Sequence, residues 1–296
     1  MTKNKTVIAI VLISIAVIAL FASVVYAMGL TKFIGVDWWK HFMPATASLV
    51  SGGDPYQVTG FYSPPWLLAF LLPFAYLPIE VSTPIIFILN TIGFTWFAYK
   101  AGVNKYAILP LFVFSGALMN AVKGNLDGIL LFSFYVPPWL GILILMTKPQ
   151  IGIPVILCYF LSIVTTGGRG MDKARYILKI SMPFIIINIL SLALFGDWYS
   201  HAGSVIGRPW NTSILWPFGV PAGLFLIWHG VKNRNINYAL LSIPFMSPYI
   251  ASTTWALVFL GAASLLSRPW RIGLTDIQFR ELMKRYVADI MKQTRN

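Results

Sequence analysis

The sequence predicts an all-α polytopic membrane protein, a helical bundle of about ten transmembrane helices with an outer juxtamembrane loop or helix after the first span. Of the 296 residues, 57% are hydrophobic and only 10% are charged. Soluble globular proteins typically carry about 25% charged residues, because their surfaces face water. Long apolar runs follow one another along this chain, with short basic clusters between them. Both features are typical of a chain whose solvent is lipid.

The basic excess fits membrane topology better than nucleic-acid binding. A net charge of +13 attracts phosphate backbones in many proteins. Here the Lys and Arg residues lie between apolar runs, which is the positive-inside pattern, so no nucleic-acid partner is predicted. The single cysteine, Cys158, lies in an apolar stretch, which excludes a disulfide framework and a Cys metal site.

The first predicted span is the uninterrupted apolar run of residues 7–30, which follows Lys3 and Lys5. Its length suits a bilayer core of about 30 Å. A cleaved signal peptide is the alternative, because residues 25–27 weakly resemble a cleavage site. The run exceeds the ~7–15 apolar residues of a signal core, which favours a retained anchor.

Further spans follow a polar and aromatic segment at residues 31–63. The apolar runs lie near residues 64–79, 82–99, 106–121, 127–147, 150–166, 180–196, 213–231, 236–249 and 251–266. The basic clusters are at the N-terminus, at residues 169–179, at Lys232 and Arg234, and in the tail. An even number of predicted spans separates each cluster from the next, so we expect a multi-pass protein of the cell membrane with both termini cytoplasmic.

This topology divides the chain into a transmembrane domain, residues 1–267, and a basic cytoplasmic tail, residues 268–296. The tail has the pattern of an amphipathic helix, which would lie on an anionic leaflet or on the protein's own loops. Lys100 and Lys105 fall on the outer side, against the positive-inside rule. We therefore also consider a re-entrant hairpin after Ser63.

The acidic residues are few, and their positions are informative. Asp37 and Asp54 share the first outer loop, while Asp127 interrupts an apolar stretch. An ionisable group at or within a bilayer is costly, which makes it a functional candidate. Asp54 precedes Pro55, a pair that commonly initiates turns, so we expect it to brace that turn.

No cofactor is predicted. The three histidines have no ligand-like spacing, and a divalent cation between Asp37 and Asp54 is left open. The chain also lacks a Gly-rich phosphate loop, which argues against a nucleotide-sugar donor.

Three short strings combine bend-forming Gly and Pro residues with polar groups. They are Gly52-Gly53-Asp54-Pro55-Tyr56 with Tyr62-Ser63-Pro64-Pro65, then Lys123-Gly124-Asn125-Leu126-Asp127-Gly128, then Lys148-Pro149-Gln150. With Asp37 before them and weaker echoes at residues 208–213 and 247–249, they resemble the polyprenyl-phosphate-sugar-dependent glycosyltransferases of the GT-C superfamily. Glycosyltransferase family 87, the membrane alpha-mannosyltransferase group, is the closest in pattern.

The resemblance implies a role for each matching position. Asp37 would be the general base that accepts the proton of the acceptor hydroxyl. The cations Lys148, Arg208 and Lys123 would hold the donor phosphate. The remaining candidates for substrate binding or loop bracing are Asp54, Tyr56, Tyr62, Asn125, Asp127 and Gln150.

Simpler interpretations stay open for several of these side chains. Lys148 would also suit snorkelling at a helix end. Tyr56 and Tyr62 would suit an interfacial aromatic belt. The predicted topology places Asn125 and Asp127 near the cytoplasmic side, which argues against a direct role in an outer site.

The leading hypothesis is a hexosyltransferase, with mannose as the expected sugar, that acts on an extracytoplasmic glycan or lipid acceptor. Its partners would be membrane lipids and a polyprenyl-phosphate-linked sugar. The alternative is a non-catalytic membrane subunit that binds lipid or partner proteins in a membrane protein complex. The chain is shorter than members of the family and reads Gly124-Asn125 where they have a Gly-Gln-like pair, which suits this alternative. A polyprenyl-lipid carrier or flippase is disfavoured, because the sequence shows neither an internal repeat nor an evident pair of buried charges.

Overall fold

The computed structural model describes residues 34–166, 170–209, 211–213 and 215–267. The predicted first span, residues 7–30, and the predicted amphipathic tail, residues 268–296, lie outside these ranges.

The described residues are helical and contain no β-strand, which confirms the all-α prediction for this part of the chain. A π-helical turn, Trp38–Phe42, leads into the first α-helix. The α-helices are α1 (Met43–Val50), α2 (Trp66–Ala75), α3 (Ile79–Lys100), α4 (Lys105–Phe114), α5 (Ala117–Lys123), α6 (Asp127–Leu130), α7 (Pro138–Leu145), α8 (Pro149–Thr165), α9 (Gly170–Phe195), α10 (Trp198–Gly203), α11 (Val220–Lys232), α12 (Asn237–Met246) and α13 (Trp255–Leu266). Short 3₁₀ turns at Pro55–Gln57, Leu131–Tyr135 and Ser252–Thr254 connect some of them.

Two of the described helices, α3 and α9, are long and apolar enough to cross a membrane. The pair α4 and α5, bent by 56° at its break, would be a third. The apolar window of α9 has a mean hydropathy of 2.1 and only 11% of it is buried, as expected for a helix that faces lipid. Shorter apolar helices, including α2 and α8, fall below the length of a regular span.

The prediction of about ten regular transmembrane helices is therefore not supported. Proline interrupts the pattern, because it removes a backbone donor and clashes with the preceding helical turn. Pro110 lies inside α4 and Pro244 inside α12, while Pro137 caps α7 and Pro138 is its first residue. The apolar runs of the sequence consequently form short and bent helical pieces.

Polar contacts bring the C-terminal end of α3 to the turn between α11 and α12. Ser264 Oγ donates to the carbonyl of Ala101 at 2.6 Å, and Asn237 Nδ2 donates to Ser264 Oγ at 2.7 Å. The C-terminal end of α8 and the start of α9 lie at this end too, since a Cβ at Gly230 would meet Cys158 Sγ of α8 and Lys173 donates to the carbonyl of Val164. We call this region the basic end, defined by residues 100–105, 164–166, 170–173, 230–237 and 264–267.

The basic end corrects the predicted topology. Lys100 and Lys105 lie at the same end as Lys232 and Arg234, because the contacts of Ala101 and Asn237 with Ser264 join their segments. The sequence-based topology had placed the two pairs on opposite sides. The helices are shorter and more broken than the sequence-based topology assumed. That topology therefore counted the wrong number of crossings between the first pair of basic residues and the second.

Residues 34–38, 122–128, 146–150 and 247–254 gather at the other end, which we call the site end. Gly35 N donates to the carbonyl of Val122 at 2.7 Å, and Trp38 Nε1 donates to Ser82 Oγ, near the start of α3, at 2.9 Å. From Ser82 to Ala101, α3 rises about 28 Å. The two ends are thus separated by roughly the ~30 Å thickness of a bilayer core.

The segment at residues 127–147, predicted to be a span, doubles back instead. Phe134 packs on Phe97 of α3, with ring centroids 4.9 Å apart, and the residues that follow it line a pocket with Ala101 and Ile236 of the basic end. The chain then returns, so that Lys148 pairs with Asp127. The segment therefore begins and ends at the site end, with its turn at the Pro137–Pro138 pair, and we call it the re-entrant segment.

The first part of the re-entrant segment is held against α3 by a close glycine contact. A Cβ at Gly93 would lie 2.1 Å from the carbonyl oxygen of Gly128, and a Cβ at Gly128 would lie 2.4 Å from that of Asn90. Asn90 Oδ1 also accepts hydrogen bonds from the backbone N–H groups of Gly128, at 3.0 Å, and Ile129, at 3.3 Å. This contact fixes the height of Asp127 along α3.

We expect Gly93→Ala and Gly128→Ala to destabilise the fold by about 1–3 kcal/mol each, because the added methyl group meets backbone atoms that have little room to move. Thermal unfolding in detergent measures the effect. Gly203→Ala is the control, since a Cβ there meets nothing within 4 Å. Equal thermal midpoints for all three variants would contradict the close packing of α3 against α6.

Candidate functional site

A buried ion pair is the centre of the site end. Lys148 and Asp127 are only 8% and 1% exposed, and Lys148 Nζ pairs with Asp127 Oδ1. The same ammonium donates to Asn125 Oδ1. Asp127 Oδ2 accepts a hydrogen bond of 2.9 Å from Thr254 Oγ1. The pair thus joins the loop before α6, the N-terminal end of α8 and the turn before α13.

The hydrogen bonds explain how two charges are tolerated here. Removing an ion from water costs several kcal/mol, and the attraction between the partners offsets this only when the remaining donors and acceptors are satisfied. Both carboxylate oxygens of Asp127 have partners. Lys148 uses two of its three N–H donors on Asn125 and Asp127, which leaves the third for another acceptor. The burial of Lys148 also excludes the snorkelling interpretation. The expectation of no buried charge pair was wrong, because the two partners are far apart in sequence and meet only in the fold.

A glycine places Asp37 beside this pair. Gly124 has a φ of +71°, a left-handed conformation that favours glycine. A Cβ at Gly124 would lie 2.9 Å from Trp38 Cβ and 3.0 Å from Gly35 Cα. The 123–125 loop therefore packs directly on the backbone that carries Asp37, and any larger residue at Gly124 would separate the two.

The electrostatics of Asp37 show which groups surround it. Burial raises the pKa of this half-buried carboxyl above its ordinary value. The positive charges of Lys148, His41 and Lys123 act in the opposite direction, in that order of strength, and the Asp127 carboxylate raises the pKa further. Asp37 is thus a carboxyl group with three cationic or ionisable neighbours. Because burial outweighs their effect, its pKa lies above that of a solvated aspartate.

Two tyrosines extend the site from Asp37 toward its exposed edge. Burial raises the pKa of Tyr249, and the charges of Asp127, Asp37 and Tyr62 raise it further, which places all three near its hydroxyl. The guanidinium carbon of Arg208 lies 6.0 Å from the centre of the Tyr62 ring. Arg208 is exposed, so it forms the outer edge of the same group of residues.

Asn125 and Asp127 are placed differently from the sequence-based expectation. They were expected near the cytoplasmic side, away from Asp37. The structure places Asp127 beside Lys148 and close enough to Asp37 to influence the pKa of its carboxyl. The correction follows from α2, which was predicted to cross but stays near the site end, with Trp66 on Leu143 and Trp198. Only α3 and the α4–α5 pair therefore separate Asp37 from Asn125.

The other predicted residues brace the site or lie at its margin. Asp54 caps the 3₁₀ turn, accepting from the backbone N–H of Tyr56 at 2.9 Å and from Gln57 Nε2 at 3.2 Å. Tyr56 is buried, donates to the carbonyl of Ser63 at 3.0 Å and stacks on His201. Gln150 lies in the first turn of α8 and is partly exposed. These contacts make Asp54 and Tyr56 structural supports of the outer loop.

Three residues of the site were not among the predicted ones. Thr254 holds Asp127, Tyr249 lies near both carboxylates, and His41 lies near Asp37. His41 Nδ1 donates to the carbonyl of Thr59 at 2.7 Å, which fixes the orientation of the imidazole ring. The four-residue spacing of Asp37 and His41 was a usable signal, because residues i and i+4 share a helix face. Nothing in the local sequence marks Thr254.

The arrangement offers a base and cations but no metal-binding cluster. Among the described residues, no group of three or more His, Cys, Asp and Glu side chains is placed to hold a metal ion. Asp127 balances the charge of Lys148, whereas Lys123 and Arg208 are exposed and have no carboxylate within salt-bridge distance in the described ranges. The site can therefore accept a proton at Asp37 and attract an anion near Lys123 and Arg208.

Comparisons with protein-family models, with curated proteins and with solved structures find no match to this chain. The fold and the site define a helical protein with apolar helices of membrane-spanning length and a buried polar centre at one end of the bundle.

We expect Lys148→Met and Asp127→Asn each to destabilise the protein by about 3–5 kcal/mol, because each leaves one buried group without its partner. The double variant Lys148→Met with Asp127→Asn should lose less than the sum of the two, since no unpaired charge remains. Chemical or thermal unfolding in detergent gives these values.

Lys105→Met is the matched control for this series, because Lys105 is exposed and contacts only the Tyr106 ring, at 4.8 Å from its centroid. Its effect should stay within about 0.5 kcal/mol. Additive losses in the double variant would show that the pair is not coupled.

Proposed function

We propose that this chain is a membrane glycosyltransferase of the GT-C type, which moves a hexose from a polyprenyl-phosphate donor to a hydroxyl acceptor. The observation that carries the proposal is the meeting of Asp37, Lys123, Asp127 and Lys148 at one end of the bundle. Lys123, Asp127 and Lys148 come from two of the three strings on which the resemblance rests, and Asp37 is the aspartate that precedes those strings. A half-buried carboxylate with cations around it is the arrangement that such a transfer needs.

In the proposed reaction, Asp37 accepts the proton of the acceptor hydroxyl. The hydroxyl oxygen attacks the anomeric carbon of the sugar, and a new C–O bond forms. The bond between that carbon and the phosphate oxygen breaks, and the lipid phosphate leaves with the electron pair. A general base must be ionised, and it works best when its pKa is near the working pH. The raised pKa of Asp37 is consistent with this role.

The cations divide into two roles in this proposal. Lys148 is buried and paired with Asp127, so its main effect is to favour the ionised form of Asp37 and to fix the base in place. Lys123 and Arg208 are exposed and would bind the phosphate of the donor. Arg208 offers a planar pair of donors for phosphate oxygens, and its position over Tyr62 holds the guanidinium at the edge of the site.

The same ion pair also supports a second function, that of a non-catalytic membrane subunit. A Lys–Asp pair with satisfied hydrogen bonds is sufficient to hold the loops before α6 and α8 together without any reaction. In that case Asp37 would serve packing alone, and the site end would be a contact surface for lipid or for a partner protein.

We further propose a topology in which the basic end is cytoplasmic and the site end is extracytoplasmic, as the positive-inside rule favours. Seven described segments then connect the two ends: α3, α4 with α5, α8, α9, α11, α12 and α13. The segment 127–147 is re-entrant. Segment α2 stays at the site end, because Trp66 Nε1 donates to the carbonyl of Leu143 and the Trp66 ring packs on Trp198.

Transfer activity tests the catalytic proposal. Membranes containing the protein should transfer radiolabelled mannose from polyprenyl-phosphate mannose, and Asp37→Asn should lower the rate by about 10²–10⁴-fold through loss of the base. Asp54→Asn is the control, since Asp54 caps a turn that an amide oxygen can also cap. Equal rates for wild type and Asp37→Asn would reject Asp37 as the base, and transfer by neither would favour the non-catalytic subunit.

Labelling of single cysteines tests the topology. In a Cys158→Ser background, Lys105→Cys and Asn233→Cys should react with a membrane-impermeant thiol reagent from one side, and Thr59→Cys from the other. All three positions are exposed. Labelling of Lys105→Cys and Asn233→Cys from opposite sides would restore the alternation of the sequence-based topology.

A further inference from the structure

A groove runs along one face of α9 and starts at the basic end, beside the C-terminal end of α8. Its volume is about 530 Å³. One wall is Val164, near the C-terminal end of α8, and the other is a stripe of α9 that contains Lys173, Ile177, Ser181 and Ile185. These four residues are spaced by four, so they lie along one face of the helix.

The groove combines one cation with an apolar path. Among the residues that the structure describes, Lys173 is the only charged one in its lining. Its ammonium donates to the carbonyl of Val164 at 2.7 Å, and two of its three donors remain for another acceptor. Beyond it the lining is aliphatic apart from the small side chain of Ser181. A ligand that fits must therefore be anionic at one end and apolar along its length.

The length of the groove matches one leaflet of a bilayer. From Lys173 to Ile185, α9 rises about 18 Å, and half of a ~30 Å hydrocarbon core is about 15 Å. The helix that carries the groove is the more apolar of the two membrane-length helices, and its apolar window is 11% buried. The groove therefore faces the hydrocarbon of a membrane, with its cation at the level of the head groups.

The charges near the head-group level are distributed unevenly round α9. Arg175 and Lys179 are exposed and project from other faces of the helix than the Lys173 stripe. Asp172, in the first turn, lies about 100° away from Lys173 and is not part of the lining. An anion near the N-terminal turn of a helix is also favoured by the helix dipole.

We propose that this groove binds an anionic phospholipid from the leaflet at the basic end, with its phosphate on Lys173 and one acyl chain along Ile177, Ser181 and Ile185. The lipid would fill the space between α8 and α9 and tie the two helices together. This proposal does not depend on the glycosyltransferase proposal, since the groove contains none of the residues of the site end.

Lipid retention by the purified full-length protein tests the proposal. Native mass spectrometry from detergent would compare phosphatidylglycerol with phosphatidylcholine of the same acyl chains. We expect the wild-type protein to retain phosphatidylglycerol preferentially. Lys173→Gln should reduce that preference about fivefold, the effect of one basic side chain near an anionic head group. Glutamine keeps a donor for the carbonyl of Val164.

Two further variants distinguish the effect of the Lys173 charge from the effect of the free volume in the groove. Lys179→Gln removes the same charge from another face of α9 and should leave the preference unchanged. Ser181→Leu fills the groove while Lys173 keeps its charge, and it should reduce the retention of phosphatidylglycerol even if Lys173→Gln fails to fold. Equal retention of the two lipids by wild type, equal losses in Lys173→Gln and Lys179→Gln, or full retention by Ser181→Leu would each overturn the proposal.

Discussion

Lys148 and Asp127 stand at the two ends of a segment that enters the helical bundle and returns, and their contact closes that segment into a loop. Because both side chains are buried, neither can lose its partner without leaving a charge in a poorly solvated place. Asn125 accepts a second hydrogen bond from Lys148 and Thr254 donates to the other oxygen of Asp127, which ties α8 and α13 to the same point. The contacts that the buried pair requires therefore fix the relative positions of the segments at the site end.

Three glycines determine which other segments pack beside the Lys148–Asp127 pair. Gly93 and Gly128 let the re-entrant segment lie against α3, and Gly124 lets the chain around Asp37 lie against the 123–125 loop. Backbone contact at these positions places a half-buried carboxylate beside a buried ion pair. The result is an aspartate whose charge responds to three cationic or ionisable neighbours and one acidic neighbour. Such a group suits proton transfer better than a solvated loop carboxylate would.

Composition was sufficient to predict the helical class and the apolar helices, and short motifs were sufficient to select Asp37, Lys123, Asn125, Asp127 and Lys148 as candidates. Periodicity could not predict the path of residues 127–147, because an apolar run that turns back has the same length and hydropathy as one that crosses. The pairing of Lys148 with Asp127 depends on that path, so the sequence suggested a phosphate-binding lysine where the structure has a paired one. Thr254 and Tyr249 join the site through tertiary packing alone.

The central claim is that the paired lysine helps to set the protonation of Asp37, and titration of that carboxyl tests it most directly. Carbon-13 NMR of aspartate-labelled protein in detergent, assigned with Asp37→Asn, would follow Asp37 in wild type and in Lys148→Met with Asp127→Asn. The pKa of Asp37 should lie above 3.8 in wild type. It should rise further in the double variant, because Lys148 lowers it more than Asp127 raises it. A wild-type pKa at or below 3.8, or no change in the double variant, would contradict the account.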